Sequence, residues 1–229
     1  MKKYIVANWK SYKNPAQASA WLNHWPHQQE LRDKLTSLEL VLAPAYPLLP
    51  AVTTVVEERR LPLRLAVQDV SGFGAGAFTG EVAVENLAGL GVSYALLGHS
   101  ERRRLLGETP QLIADKVAEA VRGELRPILC MDQPDIAEQA KFLPSQLREQ
   151  CIVAYEPVAA IGSGQAQNPG DLLQIREQVR RHFHSSPLLY GGSVNADNIA
   201  AYLEVCDGAL VGTASVEHRD FFDLLYAAV

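Results

Sequence analysis

Residues 188–215 read LLYGGSVNADNIAAYLEVCDGALVGTAS. Two short apolar runs, Leu188 to Tyr190 and Ala209 to Val211, each stop at a glycine, and a helix-like stretch lies between them. Short apolar runs that alternate with helical stretches are typical of a parallel sheet. Either glycine turn alone is an ordinary tight turn. Together they favour a phosphate site, because glycine lets backbone N–H groups approach an anion closely.

The same repeat runs along the whole chain. We predict eight strands: Tyr4 to Trp9, Leu38 to Ala43, Leu63 to Gln68, Tyr94 to Leu97, Pro127 to Cys130, Ile152 to Tyr155, Leu188 to Tyr190, and Ala209 to Val211. Eight strands that alternate with helices in 229 residues predict an α/β fold, a (β/α)8 barrel of parallel strands with outer helices. No low-complexity linker divides the chain, so we expect a single domain over residues 1–229.

An open, doubly wound parallel sheet is the competing architecture, because it shares the βα alternation. That fold would place a glycine-rich turn directly after the first strand. The first strand instead ends in Asn8-Trp9-Lys10, without glycine. The sequence therefore favours the closed barrel.

Helix starts are marked at Asn14-Pro15 and Thr109-Pro110, where a capping side chain precedes a proline suited to the first turn. Helical spacing then predicts helices over four segments: Val82 to Leu90, Gln111 to Val121, Asp171 to Arg181, and Phe221 to Ala228. Between strands five and six, Met131 to Gln150 leaves room only for a shortened fifth helix, Pro134 to Phe142.

Composition excludes several classes of function. A formal charge of −5 argues against a general nucleic-acid or membrane surface. No apolar run approaches the roughly 18 residues of a membrane span. The N-terminal segment has too few consecutive apolar residues for the core of a signal peptide. Cys130, Cys151 and Cys206 are odd in number and widely spaced, which indicates neither a disulfide framework nor a zinc site. A reducing cytoplasm fits this pattern best.

In barrels of this kind the chemistry lies at the carboxyl ends of the strands. After strand one, Asn8 and Lys10 alternate with Trp9, so both polar side chains can face the barrel mouth while Trp9 packs outward. After strand four, His99 falls at the turn into a helix, where the helix N-terminus disfavours an imidazolium and predicts a neutral hydrogen-bond donor. Considered one at a time, Lys10 would more simply be a solvated lysine, and His99 a histidine that caps or packs against the helix.

After strand six comes Glu156-Pro157, followed by apolar residues and then Gly162-Ser163-Gly164. A carboxylate at a strand end beside a loop able to hinge describes a general base next to a lid. The plain alternative is a solvated glutamate before a turn.

These features converge on one face of the predicted barrel. A cation, an imidazole, a carboxylate and two phosphate turns are the groups needed to move a proton next to the carbonyl of a small phosphorylated sugar. That chemistry needs no cofactor and no metal.

The run Arg102-Arg103-Arg104 is the densest cluster of positive charge in the chain. It could form a phosphate patch, but a solvated or ion-paired helix start is the interpretation that we favour.

Six segments resemble the triosephosphate isomerase family in order and spacing over essentially the whole chain. They are Asn8-Trp9-Lys10, Gly76-Ala77-Phe78-Thr79-Gly80-Glu81, Gly98-His99-Ser100-Glu101-Arg102-Arg103, Tyr155-Glu156-Pro157-Val158, Tyr190-Gly191-Gly192-Ser193-Val194 and Leu210-Val211-Gly212. The resemblance implies a TIM barrel that interconverts dihydroxyacetone phosphate and D-glyceraldehyde 3-phosphate in glycolysis and gluconeogenesis.

The resemblance also implies roles for particular residues. Glu156 would take the proton from carbon, and His99 would polarise the carbonyl. Lys10 and Asn8 would hold the substrate electrostatically, and Glu101 would support the site. The phosphate would be bound by Asn8, Lys10 and the backbone of Gly162, Ser193, Gly212 and Thr213.

In the family the loop after strand three inserts into a pocket of a second subunit. The resemblance therefore implies a homodimer formed through Gln68 to Glu81, including Thr79.

The chain departs from the family pattern at the lid. Ala159 stands where tryptophan is usual, Gln165 where lysine is usual, and Met131-Asp132-Gln133 where isoleucine, glycine and glutamate are usual. Thr213 replaces a usual glycine and narrows the space around the phosphate. Because the family's tryptophan and glutamate lie near one another, their joint loss looks like a linked change.

Our hypothesis is that the lid closes but is less firmly held, because a large aromatic contact is missing. The expected consequence is lower turnover and more loss of phosphate from the enediolate by elimination, because water is excluded less well. Restoring both residues, as Ala159→Trp with Gln133→Glu, should lower the ratio of elimination to isomerisation, measured as released methylglyoxal and phosphate per turnover. An unchanged product ratio would count against this hypothesis.

The sequence alone leaves two rival functions open. Another phosphate-binding barrel isomerase would keep the fold but would not explain His99 and Glu156 together. A homologue impaired in catalysis would explain the altered lid, and turnover of glyceraldehyde 3-phosphate distinguishes it from an active enzyme.

Overall fold

The computed structural model describes residues 2–26, 33–157 and 166–229. It confirms the predicted barrel. Each strand pairs in parallel with the next, and the last pairs with the first to close the sheet. The strands are β1 Lys3–Asn8, β2 Leu38–Ala43, β3 Arg64–Val67, β4 Val92–Leu97, β5 Arg126–Met131, β6 Ile152–Tyr155, β7 Leu188–Tyr190 and β8 Gly208–Val211.

Helices follow the strands on the outside of the barrel. In the described residues they are α1 Pro15–Asn23, α2 Leu49–Glu58, α3 Ser100–Leu106, α4 Pro110–Arg122, α5 Gln133–Phe142, α6 Ser145–Arg148, α7 Leu172–Phe183, α8 Ile199–Val205 and α9 His218–Ala227. Single 3-10 turns occur at Tyr46–Leu48, Val84–Leu87, Pro169–Asp171 and Thr213–Ser215.

Both predicted helix caps are confirmed. The Asn14 side chain accepts a hydrogen bond from the Gln17 backbone N–H at 3.0 Å, and the Gln17 side chain accepts one from the Asn14 N–H. The Thr109 hydroxyl accepts a bond from the Leu112 N–H at 3.2 Å. These bonds satisfy N–H groups that have no partner within the helix.

The predicted helix over Val82 to Leu90 is wrong. Only Val84–Leu87 forms a turn, of the 3-10 type. Gly89 and Gly91 both have positive φ, at 79° and 63°, so the backbone leaves the right-handed helical region directly after this turn.

The shortened fifth helix is confirmed as α5, which has ten residues. It begins at Gln133, one residue before the predicted start, because the Asp132 side chain accepts a hydrogen bond from the Gln133 N–H at 2.7 Å. The four-residue helix α6 was not predicted.

Strand alternation divides the core into two layers. Tyr4 and Val6 belong to a buried cluster made only of strand residues, which fills the barrel interior. Ile5 and Trp9 belong to the larger cluster between strands and helices. Trp9 packs outward as predicted, with its ring 5.0 Å from that of Trp21 and its indole N–H bonded to the Ser215 carbonyl at 3.1 Å.

Asn8 continues the inward series, so the last side chain of β1 opens toward the barrel mouth. At the other end of the barrel, Gly208 allows β8 to meet β1, because a Cβ there would lie 2.2 Å from the Tyr4 carbonyl oxygen. Within the described residues, no helix combines the length and apolar character needed to cross a membrane.

Candidate active site

A cavity of about 620 Å³ opens at the carboxyl ends of β1, β4, β6, β7 and β8. All the predicted site residues that the structure describes line it: Asn8, Lys10, His99, Glu101, Glu156, Ser193, Gly212 and Thr213. Gly162, and the lid positions Ala159 and Gln165, lie outside the described residues. The strand-end residues chosen from sequence are therefore brought to a single cavity.

Lys10 is held at the cavity wall by hydrogen bonds to its backbone and by an ion pair of its side chain. Its φ is 50°, a left-handed conformation, and the Asn8 side-chain oxygen accepts a hydrogen bond from its N–H at 2.9 Å. The Gln68 side chain donates to the Lys10 carbonyl at 2.8 Å. The Lys10 ammonium lies 2.5 Å from Glu101 Oε1, so this carboxylate fixes the direction of the lysine side chain.

Glu156 is almost completely buried. Its Oε2 accepts a hydrogen bond from the backbone N–H of Ser100 at 3.0 Å, and its Oε1 lies 3.0 Å from His99 Nε2. Gly191 leaves room for this arrangement, because a Cβ there would lie 2.9 Å from Glu156 Cγ. The carboxylate is thus drawn toward the start of α3.

The His99 ring bridges the helix start and the carboxylate. Its Nδ1 accepts a hydrogen bond from the Glu101 N–H at 3.3 Å, which leaves the ring proton on Nε2, facing Glu156. A donating ring is what the sequence predicts, on the expectation that the helix N-terminus keeps the pKa of His99 low.

The pKa of His99 nevertheless moves the other way. Burial lowers this pKa, but the carboxylates of Glu156 and Glu101 raise it, and the net pKa lies above its ordinary value. The helix N-terminus alone predicts a lowered pKa for His99, and Glu156, which is distant in the chain, reverses that direction. The expectation of a depressed pKa is therefore corrected for this arrangement.

The two glycine turns that the sequence predicts to bind phosphate also line the cavity. Gly191 to Ser193 follow β7, and the Asn198 side chain donates to the Ser193 carbonyl at 3.0 Å. Gly212 precedes the 3-10 turn Thr213–Ser215, and the Ser215 hydroxyl donates to the Gly212 carbonyl at 2.7 Å. Side chains therefore hold both turns in fixed positions.

A pair of tyrosines, Tyr190 and Tyr202, holds the backbone at Gln167. The Gln167 N–H donates to the Tyr190 hydroxyl at 2.8 Å, and the Tyr202 hydroxyl donates to the Gln167 carbonyl at 2.6 Å. The two rings stack with centroids 4.2 Å apart. Both backbone groups of Gln167 are thus fixed against β7 and α8.

Two of the three consecutive arginines are ion-paired, as we favoured from sequence. Arg102 lies 2.6 Å from both Asp69 and Glu108. Arg103 lies 3.8 Å from Asp135 and donates to the Cys130 carbonyl at 3.0 Å. The third, Arg104, lines the cavity.

Arg102 belongs to a buried cluster of charges that sequence analysis did not reveal. Lys116, which is 2% exposed, lies 2.7 Å from Asp69 and 2.5 Å from Glu108. Burial raises the pKa of Asp69, and Lys116 and Arg102 oppose that rise while Glu108 adds to it. The cluster ties the start of the strand-three loop to α4.

Sequence reasoning missed Ser100 as part of the site, and it placed Gly191 in a phosphate turn without foreseeing that Gly191 leaves room for Glu156. Ser100 contributes only a backbone N–H, and Gly191 only the absence of a side chain. The position of Ser100 as the first residue of a helix was the one available signal, because such N–H groups lack helical partners.

Barrel and cavity together define a (β/α)8-barrel enzyme with acid–base groups and a lysine at the carboxyl ends of its strands. The sequence model of the family described as triosephosphate isomerase matches residues 3–228. The chain belongs to the triosephosphate isomerase family.

Curated relatives carry the same name over nearly their full lengths. The chain is 37% identical to the triosephosphate isomerase of Thermus thermophilus, with 100% of both chains covered. It is 35% identical to that of Hahella chejuensis, covering 100% of this chain and 99% of the relative. It is 36% identical to that of Leifsonia xyli, covering 95% of this chain and 93% of the relative.

Proposed function

We propose that this chain interconverts dihydroxyacetone phosphate and D-glyceraldehyde 3-phosphate, as a step of glycolysis and gluconeogenesis. The observation that carries the proposal is the contact of Glu156 with His99 at 3.0 Å, in a cavity that also holds Lys10 and the two glycine turns. A carboxylate, an imidazole and a cation in this arrangement suit proton transfer next to a carbonyl.

Glu156 acts as the base in this proposal. Its carboxylate removes a proton from the hydroxyl-bearing carbon next to the carbonyl and returns it to the former carbonyl carbon, while the hydroxyl proton passes from the first oxygen to the second. Before it can do so, it must leave the Ser100 N–H, which it contacts at 3.0 Å. Substrate binding therefore exchanges this hydrogen bond for a position over the reacting carbons.

His99 and Lys10 stabilise the enediolate. The Nε2–H of His99 donates to the oxygen on which negative charge develops, and the Lys10 ammonium lines the same cavity, where Glu101 contacts both residues. When Glu156 moves away from Nε2, its effect on the pKa of His99 weakens, and burial then favours the neutral ring. Asn8 and Glu101 position Lys10 through the contacts described above.

The phosphate binds at the glycine turns, away from the base. Asn8 and Lys10 contribute on one side, and the backbone of Gly162, Ser193, Gly212 and Thr213 on the other. Residue 162 lies outside the described residues, so its part rests on the family resemblance alone.

We further propose a homodimer through the strand-three loop, Gln68 to Glu81. Phe73 and Phe78 stack in this loop with centroids 4.4 Å apart, yet they are 47% and 42% exposed. A stacked, exposed aromatic pair indicates a surface that another chain covers. The whole chain would act as one domain, and the three buried free cysteines suit the cytoplasm.

Replacing Thr79, which is exposed in this loop, by arginine should break the dimer, because the added charge would be buried without a partner. Sedimentation velocity should give a monomer for Thr79→Arg. Thr54→Arg is the matched control, since Thr54 is exposed on α2, outside the loop. A Thr79→Arg protein that stays dimeric would contradict this interface.

The reaction is tested by a coupled assay of the purified chain with glyceraldehyde 3-phosphate. Turnover to dihydroxyacetone phosphate supports the proposed function. A folded chain without turnover would instead favour a homologue that has lost catalysis.

A further inference from the structure

The three arginine side chains of helix α3 have different surroundings. Arg102 and Arg103 reach buried acidic and carbonyl groups, as described above. Arg104 lies four residues after Ser100 and three after Glu101, so these three residues share one face of the helix. All three line the catalytic cavity.

Arg104 also borders a second, smaller space. A cavity of about 180 Å³ lies beside Gly98 and Met131. Ser100, Arg104 and Glu156 line both cavities. Arg104 therefore borders both of the spaces that reach the proposed base.

The charges of the catalytic cavity are poorly matched to an anionic substrate. Three carboxylates line it, those of Glu101, Glu156 and Asp220. Lys10 is the cation nearest the glycine turns, and Glu101 pairs with it at 2.5 Å. The chain as a whole carries a formal charge of −5. A phosphate dianion that approaches this cavity would meet net repulsion without another cation.

Arg104 supplies that cation. Its side chain is exposed, and over residues 2–26, 33–157 and 166–229 it makes no ion pair. An unpaired guanidinium at the mouth of a cavity attracts anions over about one Debye length and offers paired N–H donors to phosphate.

We infer that Arg104 is a substrate-recruiting residue, which draws the phosphate dianion of the triose into the cavity and lowers KM. The inference rests on the proposed function for the identity of the substrate. It assigns to Arg104 a role separate from those of Lys10 and Glu156, because Arg104 acts before the reacting carbons meet the base.

The test compares Arg104→Gln with Arg181→Gln. Arg181 is exposed on α7 and does not line the catalytic cavity, so both variants remove one surface charge. At about 10 mM ionic strength, kcat/KM of Arg104→Gln should fall at least about fivefold below the control. This decrease in kcat/KM should come from a higher KM, with kcat unchanged. In about 0.5 M salt the difference should largely disappear, and Arg104→Lys should restore most of it.

Two results would overturn the inference. One is equal kcat/KM for the two glutamine variants at low salt. The other is a loss that is independent of salt and is not restored by lysine, which would indicate a structural role of Arg104.

Binding of glycerol 3-phosphate separates this inference from the proposed reaction, because this triose phosphate analogue has no carbonyl and cannot be isomerised. Calorimetry should show weaker binding to Arg104→Gln than to Arg181→Gln, with the difference reduced by salt. If the chain binds the analogue in this Arg104-dependent way but does not turn over triose phosphates, recruitment stands and the proposed reaction falls. Turnover with equal binding by both variants would overturn recruitment alone.

Discussion

Glu156→Gln should lower kcat for triose phosphate isomerisation by about 10³-fold, within the range of about 10² to 10⁴ that a positioned base contributes. The amide cannot accept the proton from carbon. Its oxygen can still accept the Ser100 N–H bond, so the fold and the cavity should persist. The coupled assay gives kcat, and calorimetry with glycerol 3-phosphate should show that binding is retained.

A second measurement on the same variant does not depend on activity. Because Glu156 raises the pKa of His99, its replacement should lower that pKa, while the lowering effect of burial remains. An NMR titration of the imidazole would show the change. Glu149→Gln, at an exposed position after α6, is the matched control. Retention of more than about a tenth of wild-type kcat would exclude Glu156 as the main base.

Lys116→Met should lower the free energy of unfolding by about 3 kcal/mol, the lower end of the range for breaking a buried ion pair, because two buried carboxylates, Asp69 and Glu108, are left with Arg102 as their remaining cation. Urea unfolding at a fixed protein concentration measures the change. Lys141→Met is the control, since Lys141 pairs with Glu138 at 2.5 Å but its side chain is 67% exposed. A pair so exposed contributes about 1 kcal/mol or less.

The loss in Lys116→Met should depend on pH in a defined direction. Lys116 opposes the rise that burial causes in the pKa of Asp69, so removing Lys116 raises that pKa further. The folded variant then binds more protons than the unfolded chain, and its stability increases as pH falls through the pKa of Asp69. The difference from wild type should thus be smaller at pH 5 than at pH 7. A loss of under about 1 kcal/mol at both values would contradict the role given to this cluster.

The sequence predicted the parts of the structure that local patterns determine. The apolar runs located the strands because each is short, buried and bounded by turn residues, as at Leu188 to Gly191. The strand-end residues Lys10, His99 and Glu156 were found because a closed parallel barrel brings all carboxyl ends of its strands to one face.

The missed features depend on contacts between distant segments. The Ser100 N–H meets a carboxylate 56 residues later in the chain, and Lys116 meets Asp69 47 residues earlier. The pKa of His99 also depends on a distant residue, because Glu156 and not the local helix determines the direction in which that pKa is shifted. The helix predicted over Val82 to Leu90 failed for another reason, because the spacing of apolar residues cannot show that Gly89 and Gly91 adopt positive φ.

The backbone of Lys10 has one further consequence. A φ of 50° is unfavourable for a lysine, by about 1–2 kcal/mol relative to the right-handed region. Glycine or asparagine would occupy this position with less strain, but neither carries a charge. Selection for folding stability alone would therefore remove the cation. The strained lysine makes this chain less stable than it could be at the place where we propose that a dianion binds, which would be an instance of function opposing stability within a single residue.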